Sequence, residues 1–243
     1  MAVAVKERRT GKAAKPAGKG QTGATPVQVP KLVVISASKG GVGKTSVARA
    51  LAVAAAHAGL QVAMVDLDPQ KSLRDWWSER PDAAPQIAMF EDVGMGNVQA
   101  FLDVAREQPL DIIIVDTPPG VEAAPEQMEA VLKAADLVLV PSQHGPPDVM
   151  AATRWLEHLN VLGVSRFAAV LNRIQHNVKT NTNTARLKLN AAGPLVPVEI
   201  PQYEVFNDSF GLGVGPQEIA RSPATDYVEG LWAFVRREIG LDR

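Results

Sequence analysis

The sequence predicts an α/β domain: a mostly parallel sheet with helices on both faces. Three observations carry this. Short apolar, β-branched runs such as LVVI (32–35) and LDIIIVD (110–116) recur along the chain, and runs of that length and composition read as buried strands. Between them lie longer stretches of helical pattern, such as the alanine-rich SVARALAVAAAHAG ending at Gly59, which Gly stops. Strict alternation of the two implies right-handed crossovers and a sheet covered on both sides.

In order, the first strand covers 32–35 and the first helix runs from about Ser46 to Gly59. A second strand is expected at 61–66, and KSLRDWWSER forms a short helix closed by Pro81. A strand at 86–91 and a helix at 97–108 follow. Residues 110–116 form the most strand-like run and belong in the sheet's centre, because so continuous an apolar run needs burial on both faces. Then come a helix at 122–135, strand 137–141, helix 148–162, strand 167–171, helix 182–191, a last strand at 195–200 and a closing helix at 224–239. Trp76, Trp77 and Trp232 read as packing residues.

At 243 residues the chain suits one domain with a sizeable core, assigned to 31–243. Residues 1–30 form a basic tail whose Lys, Gly, Ala, Pro and Thr cannot bury a core, so no fixed structure is expected there. Within residues 1–31, Lys6, Arg8, Arg9, Lys12, Lys15, Lys19 and Lys31 against Glu7 give +6, and the remaining residues carry −7. The tail is either a solubilising leader or a basic arm that touches nucleic acid. It has no apolar h-region of a secretory signal, and no apolar run is long enough to span a bilayer. The absence of cysteine excludes disulfides, thiolate metal sites and iron–sulfur clusters. His57, His144, His158 and His176 show no metal-ligand spacing.

The chemistry gathers at strand ends, where ligands sit in such sheets. KLVVISASKGGVGKTS (31–46) places Gly40, Gly41, Val42 and Gly43 between a strand and a helix. Glycines let backbone N–H groups face a polyphosphate, and the helix N-terminus adds partial positive charge. Lys44 would reach the β- and γ-phosphates, Thr45 would ligate Mg²⁺, and Ser46 completes the motif. The ordinary phosphate-loop pattern wants glycine where Ser38 stands, and a second lysine, Lys39, opens the loop instead. Asp66-Leu67-Asp68-Pro69-Gln70 ends the second strand, and Asp116-Thr117-Pro118-Pro119-Gly120 ends the central one.

KGGVGKT resembles the deviant Walker A motif of the ParA/MinD family of P-loop ATPases, and the chain looks most like its small ParA-type partitioning members. The resemblance covers 32–239, strongly at the three motifs and loosely after Ser142. It implies a P-loop NTPase fold and hydrolysis of ATP with Mg²⁺ by an ATP-sandwich homodimer. Lys39 would cross to the partner's phosphates. DLDPQ is similar to the family's Walker A′ motif, with Asp68 orienting the attacking water and Asp66 near the metal. Asp116, the Walker B acid, would hold Mg²⁺ through water. Asn172 and Pro201 would lie at the adenine, and Ser209-Phe210-Gly211 at the dimer edge.

The resemblance also implies partners: non-specific DNA of the nucleoid, and a ParB-type or cargo adaptor that stimulates hydrolysis. The location would be cytoplasmic and nucleoid-associated. Family members that bind DNA without a reading domain use C-terminal arginines, where this chain has Asn177 and Ser222. Lys179, Arg186, Lys188, Arg221, Arg236 and Arg237 remain candidates for a basic face. A MinD-like regulator of a membrane-bound machine is the alternative. The last helix, with Leu231, Trp232, Val235 and Ile239 on one face, suits docking on the sheet, so no membrane contact is expected. A small-molecule kinase of the dethiobiotin synthetase type shares the loop, but Lys39 and DLDPQ favour the nucleotide switch.

Overall fold

The computed structural model describes residues 4–6, 29–120, 124–175 and 179–242. Its strands are β1 (Ala4–Lys6), β2 (Lys31–Ile35), β3 (Val62–Asp66), β4 (Ala88–Glu91), β5 (Ile112–Asp116), β6 (Leu137–Ser142), β7 (Phe167–Ile174) and β8 (Ile200–Pro201). They form one sheet in the order β1-β4-β3-β5-β2-β6-β7-β8, in which only the β1–β4 pair is antiparallel. The helices are α1 (Lys44–His57), α2 (Ser72–Ser78), α3 (Val98–Ala105), α4 (Pro125–Ala134), α5 (Pro146–Val161), α6 (Lys179–Ala192), α7 (Val205–Gly211) and α8 (Thr225–Glu238).

Strand alternation sorts the core into two layers. On β2, Val33 and Ile35 face α1, α2 and α8, while Leu32 and Val34 face α3 to α6. The central strand expected at 110–116 is β5, flanked by β3 and β2 and wholly buried. Parallel register brings three carboxyl ends level, because Asp116 is paired with both Asp66 and Ile35. Trp76, Trp77 and Trp232 are buried, as packing residues should be.

Four elements depart from expectation. Residues 4–6 belong to β1 rather than to a structureless tail: they pair with the open edge of β4, Val5 packs on the core, and Lys6 meets Glu91 at 3.2 Å. The basic residues from Arg8 to Lys19 lie outside the described residues, as do Glu122, His176 and Asn177. The strand expected at 195–200 is broken. Only a bridge from Leu195 to Ala169 and the two residues of β8 remain, because Pro194, Pro197 and Pro201 lack ladder donors. The helix expected at 97–108 is a 3-10 turn (Met95–Asn97) followed by α3. Between β8 and α8 lies α7, read from sequence only as a motif.

The segment that leads out of α7 is seated on α2 by a buried ion pair. Arg80 donates to both Glu218 oxygens (2.9 and 3.0 Å), to Gly213 O (3.3 Å) and to Pro85 O (3.0 and 3.1 Å). Trp76 Nε1 donates to Val214 O at 3.0 Å. Gly213, at φ 63°, lets this contact close, since a Cβ there would stand 2.2 Å from the Glu79 carbonyl carbon. Burial alone would raise the Glu218 carboxyl, but hydrogen bonds from Arg80 and the Gly215 amide hold it below its ordinary value. Its contribution is therefore complete above the ordinary glutamate range and is lost as pH falls through the depressed value. Glu218→Gln should destabilise the fold by about 3–5 kcal/mol at pH 7, because it leaves a buried guanidinium uncompensated. Urea midpoints of the two proteins should draw together as pH is lowered, and a constant gap would refute the linkage.

Candidate functional site

The site begins where β2 runs into α1. Gly41 (φ 77°) and Gly43 (φ 93°) take left-handed conformations that turn the chain tightly before the helix. Gly43 is the N-cap of α1 and supplies no side-chain hydrogen bond, so the first-turn N–H groups face outward without a capping side chain. The loop, α2 and α7 enclose a cavity of about 820 Å³ lined by Gly40, Gly41, Gly43, Lys44, Thr45, Ser46, Arg49, Asp68 and Phe206, among others.

Lys44 supplies charge to its lining, and Asp116 lies buried behind it, bonded to the lining Thr45. Lys44 is 7% exposed; burial lowers its pKa, and the charges of Asp116 and Asp68 oppose that shift. Asp116 is 1% exposed, and its carboxyl is pushed up to about 7, chiefly by burial, against the Thr45 hydrogen bond. Thr45 Oγ1 donates to Asp116 Oδ2 at 2.6 Å, while the buried Oδ1 has no hydrogen-bond partner. A hydroxyl and an unsatisfied carboxylate oxygen beside a phosphate-binding loop are the hard oxygen donors that suit Mg²⁺, which completes its shell with water and phosphate. Among the described residues, no cluster of three or more His, Cys, Asp or Glu is placed to hold a metal without such help.

The two acids after β3 take separate places. Asp68 lines the cavity and accepts the Gln70 amide at 2.9 Å. Asp66, expected beside the metal, is occupied by backbone. Its Oδ1 accepts the Asp68 amide (3.1 Å), and its Oδ2 accepts those of Leu73 (2.9 Å) and Arg74 (3.0 Å). Burial raises its carboxyl, and the Arg74, Asp68 and Leu73 amides, with the nearby Lys71 charge, oppose this. Asp66 thus caps α2 and braces the loop that carries Asp68. Of the expected metal set of Thr45, Asp66 and Asp116, the first and last bond each other, and Asp66 stands beside Asp116 in register with both oxygens accepting backbone amides.

Asn172 and Pro201 come together with Ser46 in a smaller pocket of about 190 Å³, which shares Ser46, Arg173, Phe206 and Asn207 with the main cavity. The Asn172 amide also donates to Val42 O at 2.8 Å. Lys39 is the expected residue that stands outside. Its ammonium meets Asp148 Oδ1, in the first turn of α5, at 2.6 Å, and the side chain is 46% exposed. Sequence reasoning missed Asp148 and Arg49. Arg49 is a cation on an otherwise small and apolar helix. It is 1% exposed, bonds Phe206 O and Ser209 Oγ (3.3 Å), and lies over the Phe210 ring, so it pins α7 to α1. Burial, then the nearby Arg173 charge, lowers its pKa to about 10. Its one signal in the sequence is that charge on an alanine-rich face.

A glycine loop at a helix N-terminus, a lysine floor and a buried acid at the end of the adjacent strand define a phosphate-loop nucleotide-binding protein. Residues 33–208 match the CobQ/CobB/MinD/ParA nucleotide binding domain, and the chain belongs to that family. A carboxysome distribution maintenance protein A from Gloeobacter kilaueensis is 29% identical over 177 residues, 73% of this chain and 76% of its own. A ParA protein of Rhizobium radiobacter is 30% identical over 149 residues, covering 60% and 62%. The fold matches that of MinD in a MinC:MinD cell division complex from Aquifex aeolicus, with TM-score 0.72, 17% identity and coverage of 85% and 96%. It also matches apo McdA from Cyanthece, with TM-score 0.68, 20% identity and coverage of 84% and 99%.

Asp66→Ala should lower stability by about 0.5–2 kcal/mol, the worth of a helix cap, and leave the Mg²⁺ dependence of ATP binding in place. Asp116→Asn should instead weaken that dependence. Isothermal titration with ATP, with and without Mg²⁺, separates them; loss of the Mg²⁺ effect in Asp66→Ala would return Asp66 to the metal set.

Proposed function

We propose that this protein is an ATP-hydrolysing positioning switch that pairs with a second copy on ATP, binds DNA non-specifically and segregates or places a cargo. The observation that carries the reading is the placement of the two loop lysines. Lys44 lies in the cavity floor, and Lys39 stands outside it at the protein surface. A lysine that leads a phosphate loop yet pairs with a carboxylate outside the cavity lining is suited to another molecule's phosphates.

In this reading the loop amides and Lys44 hold the β- and γ-phosphates, and Thr45 and Asp116 hold Mg²⁺. The cation neutralises charge that builds up on the transferring phosphoryl group. Asp68 orients the attacking water from the rim of the cavity. Asn172, Pro201 and Ser46 border the pocket for the adenine end. Lys39 leaves Asp148 and reaches the partner's nucleotide. A cation delivered in trans is worth about 10³–10⁵ in rate in related phosphoryl transfers.

A ParB-type or cargo adaptor would stimulate turnover. Similarity to a carboxysome distribution protein and to a ParA protein supports a positioning role and leaves open whether the cargo is a plasmid, a chromosome or a protein assembly. For a membrane role, α8 offers little: Leu231, Trp232, Val235 and Ile239 are buried against the sheet. No helix among the described residues is long and apolar enough to cross a membrane. Three candidates for a DNA face carry exposed pairs, Arg186 with Glu199, Arg236 with Asp242 and Arg237 with Glu238, which are worth too little to keep these arginines from phosphate. The basic N-terminal residues are the other candidate, and the two are separable by experiment.

Lys39→Ala should abolish ATP-dependent dimerisation and turnover yet keep ADP binding. Lys44→Ala should lose nucleotide affinity, and Asp68→Ala should accumulate as an ATP-bound dimer that hydrolyses slowly. Analytical ultracentrifugation and phosphate release test all three, and normal turnover in Lys39→Ala would sink the sandwich-dimer reading.

DNA binding is tested by co-sedimentation with and without ATP over a salt series. Replacing Arg8, Arg9, Lys12, Lys15 and Lys19 by Gln keeps β1 intact. It should make the log–log salt slope shallower by about 2–3, with an upper limit near 4.5 per monomer on full engagement. An unchanged slope would mean that this segment does not contact DNA.

A further inference from the structure

Two carbonyls of the phosphate loop are held by side chains, and two of those side chains, Gln143 and Arg173, have no role in the reading above. A loop that turns its N–H groups toward an anion turns carbonyls away from it, and those carbonyls need donors of their own. Gly41 O receives two: Gln143 Nε2 at 3.2 Å and Arg173 Nη1 at 3.0 Å. Val42 O receives the Asn172 amide. The donors come from neighbouring strand ends, since Gln143 follows β6, and Ser142 of β6 is paired with Leu171 of β7.

Two further observations single out Arg173. Its φ is 55°, a left-handed conformation that a residue with a side chain enters at a cost of about 1–3 kcal/mol. It sits where the β7–β8 register shifts. On a regular strand, Asn172 and Arg173 would point to opposite faces; with the backbone turned at Arg173, both donate to the same loop. The contact is close on the loop's side as well: a Cβ on Gly43 would lie 2.2 Å from the Asn172 amide nitrogen and 3.7 Å from Arg173 Nε.

We propose that Arg173, assisted by Gln143, is a positioning residue that fixes the phosphate loop in its anion-receiving form by holding the Gly41 carbonyl. The inference rests on the reading of the loop as the seat of an ATP polyphosphate. Because the hold acts on the loop rather than on the terminal phosphate, it serves ATP and ADP alike.

The test is Arg173→Gly, which keeps the positive φ accessible but removes a cavity-lining side chain with the donor, so it is paired with Gln143→Ala, whose donor lies outside the lining. Affinities for ATP and ADP are measured by calorimetry, together with the thermal midpoint of the nucleotide-free protein. Both dissociation constants should rise by roughly tenfold or more, the worth of a hydrogen bond from a charged donor. The nucleotide-free midpoint should be unchanged or higher, because strain is relieved. Gln143→Ala should give a smaller loss of the same kind. Unaltered affinity for both nucleotides would overturn the proposal. So would a loss confined to ATP, which would mark Arg173 as a direct contact of the terminal phosphate, and so would a fall in the nucleotide-free midpoint that accounts for the loss. A wild-type protein that binds neither nucleotide, or a Lys44→Ala variant that binds both normally, would instead refute the nucleotide reading itself.

Discussion

Asp116 is an acid that the sheet forces out of water, and the rest of the site is arranged around that constraint. It ends a strand buried on both faces, level with Asp66 on one side and Ile35 on the other. Its carboxyl has one hydroxyl partner and one empty oxygen, so burial raises its pKa and favours a cation beside it. Lys44 has the opposite problem, since burial lowers its pKa and the Asp116 charge draws it back. Each group offsets part of the other's desolvation, and neither is fully satisfied by protein alone. In the function proposed above, a polyphosphate and its divalent cation would supply the charges that this pair leaves unmatched.

Most of the fold is legible in the sequence because its signals are local. An apolar β-branched run such as 112–116 is a buried strand wherever it is placed, and an alanine-rich helix after a glycine loop has few other readings. What escaped depends on distant partners. β1 is three residues long and exists because β4 offers it an open edge. The strand expected at 195–200 had the right composition, but its prolines remove donors that only the pairing pattern shows to be needed. α7 buries only Val205 and Ser209 and is held by Arg49, so its hydrophobic pattern is weak.

The site divides along the same line. The loop, Lys44, Thr45, Asp68 and Asp116 converge as their spacing implies, since each follows directly from a strand end. Asp66 and Lys39 do not, for different reasons. The first lies level with Asp116 but where the chain turns into α2, so its oxygens also take three backbone amides that no local pattern announces. Lys39 has found Asp148, more than a hundred positions away, which no local pattern can reveal.

The strengths of the two principal ion pairs suggest how such a site could be both rigid and switchable. Arg80–Glu218 is buried and bidentate, with the guanidinium 2% exposed, and breaking a pair of that kind is costly. It seats the segment after α7, so the wall that carries Phe206 and Phe210 keeps its place relative to α2 and the loop bearing Asp68. Lys39–Asp148 is half-exposed, and pairs of that kind contribute only about 0–1 kcal/mol. In the function proposed above, a polyphosphate carrying several negative charges would draw the ammonium from one carboxylate at that small cost. The walls of the cavity are thus fixed by a contact too expensive to give up, while Lys39, outside it, rests on one that is cheap to exchange.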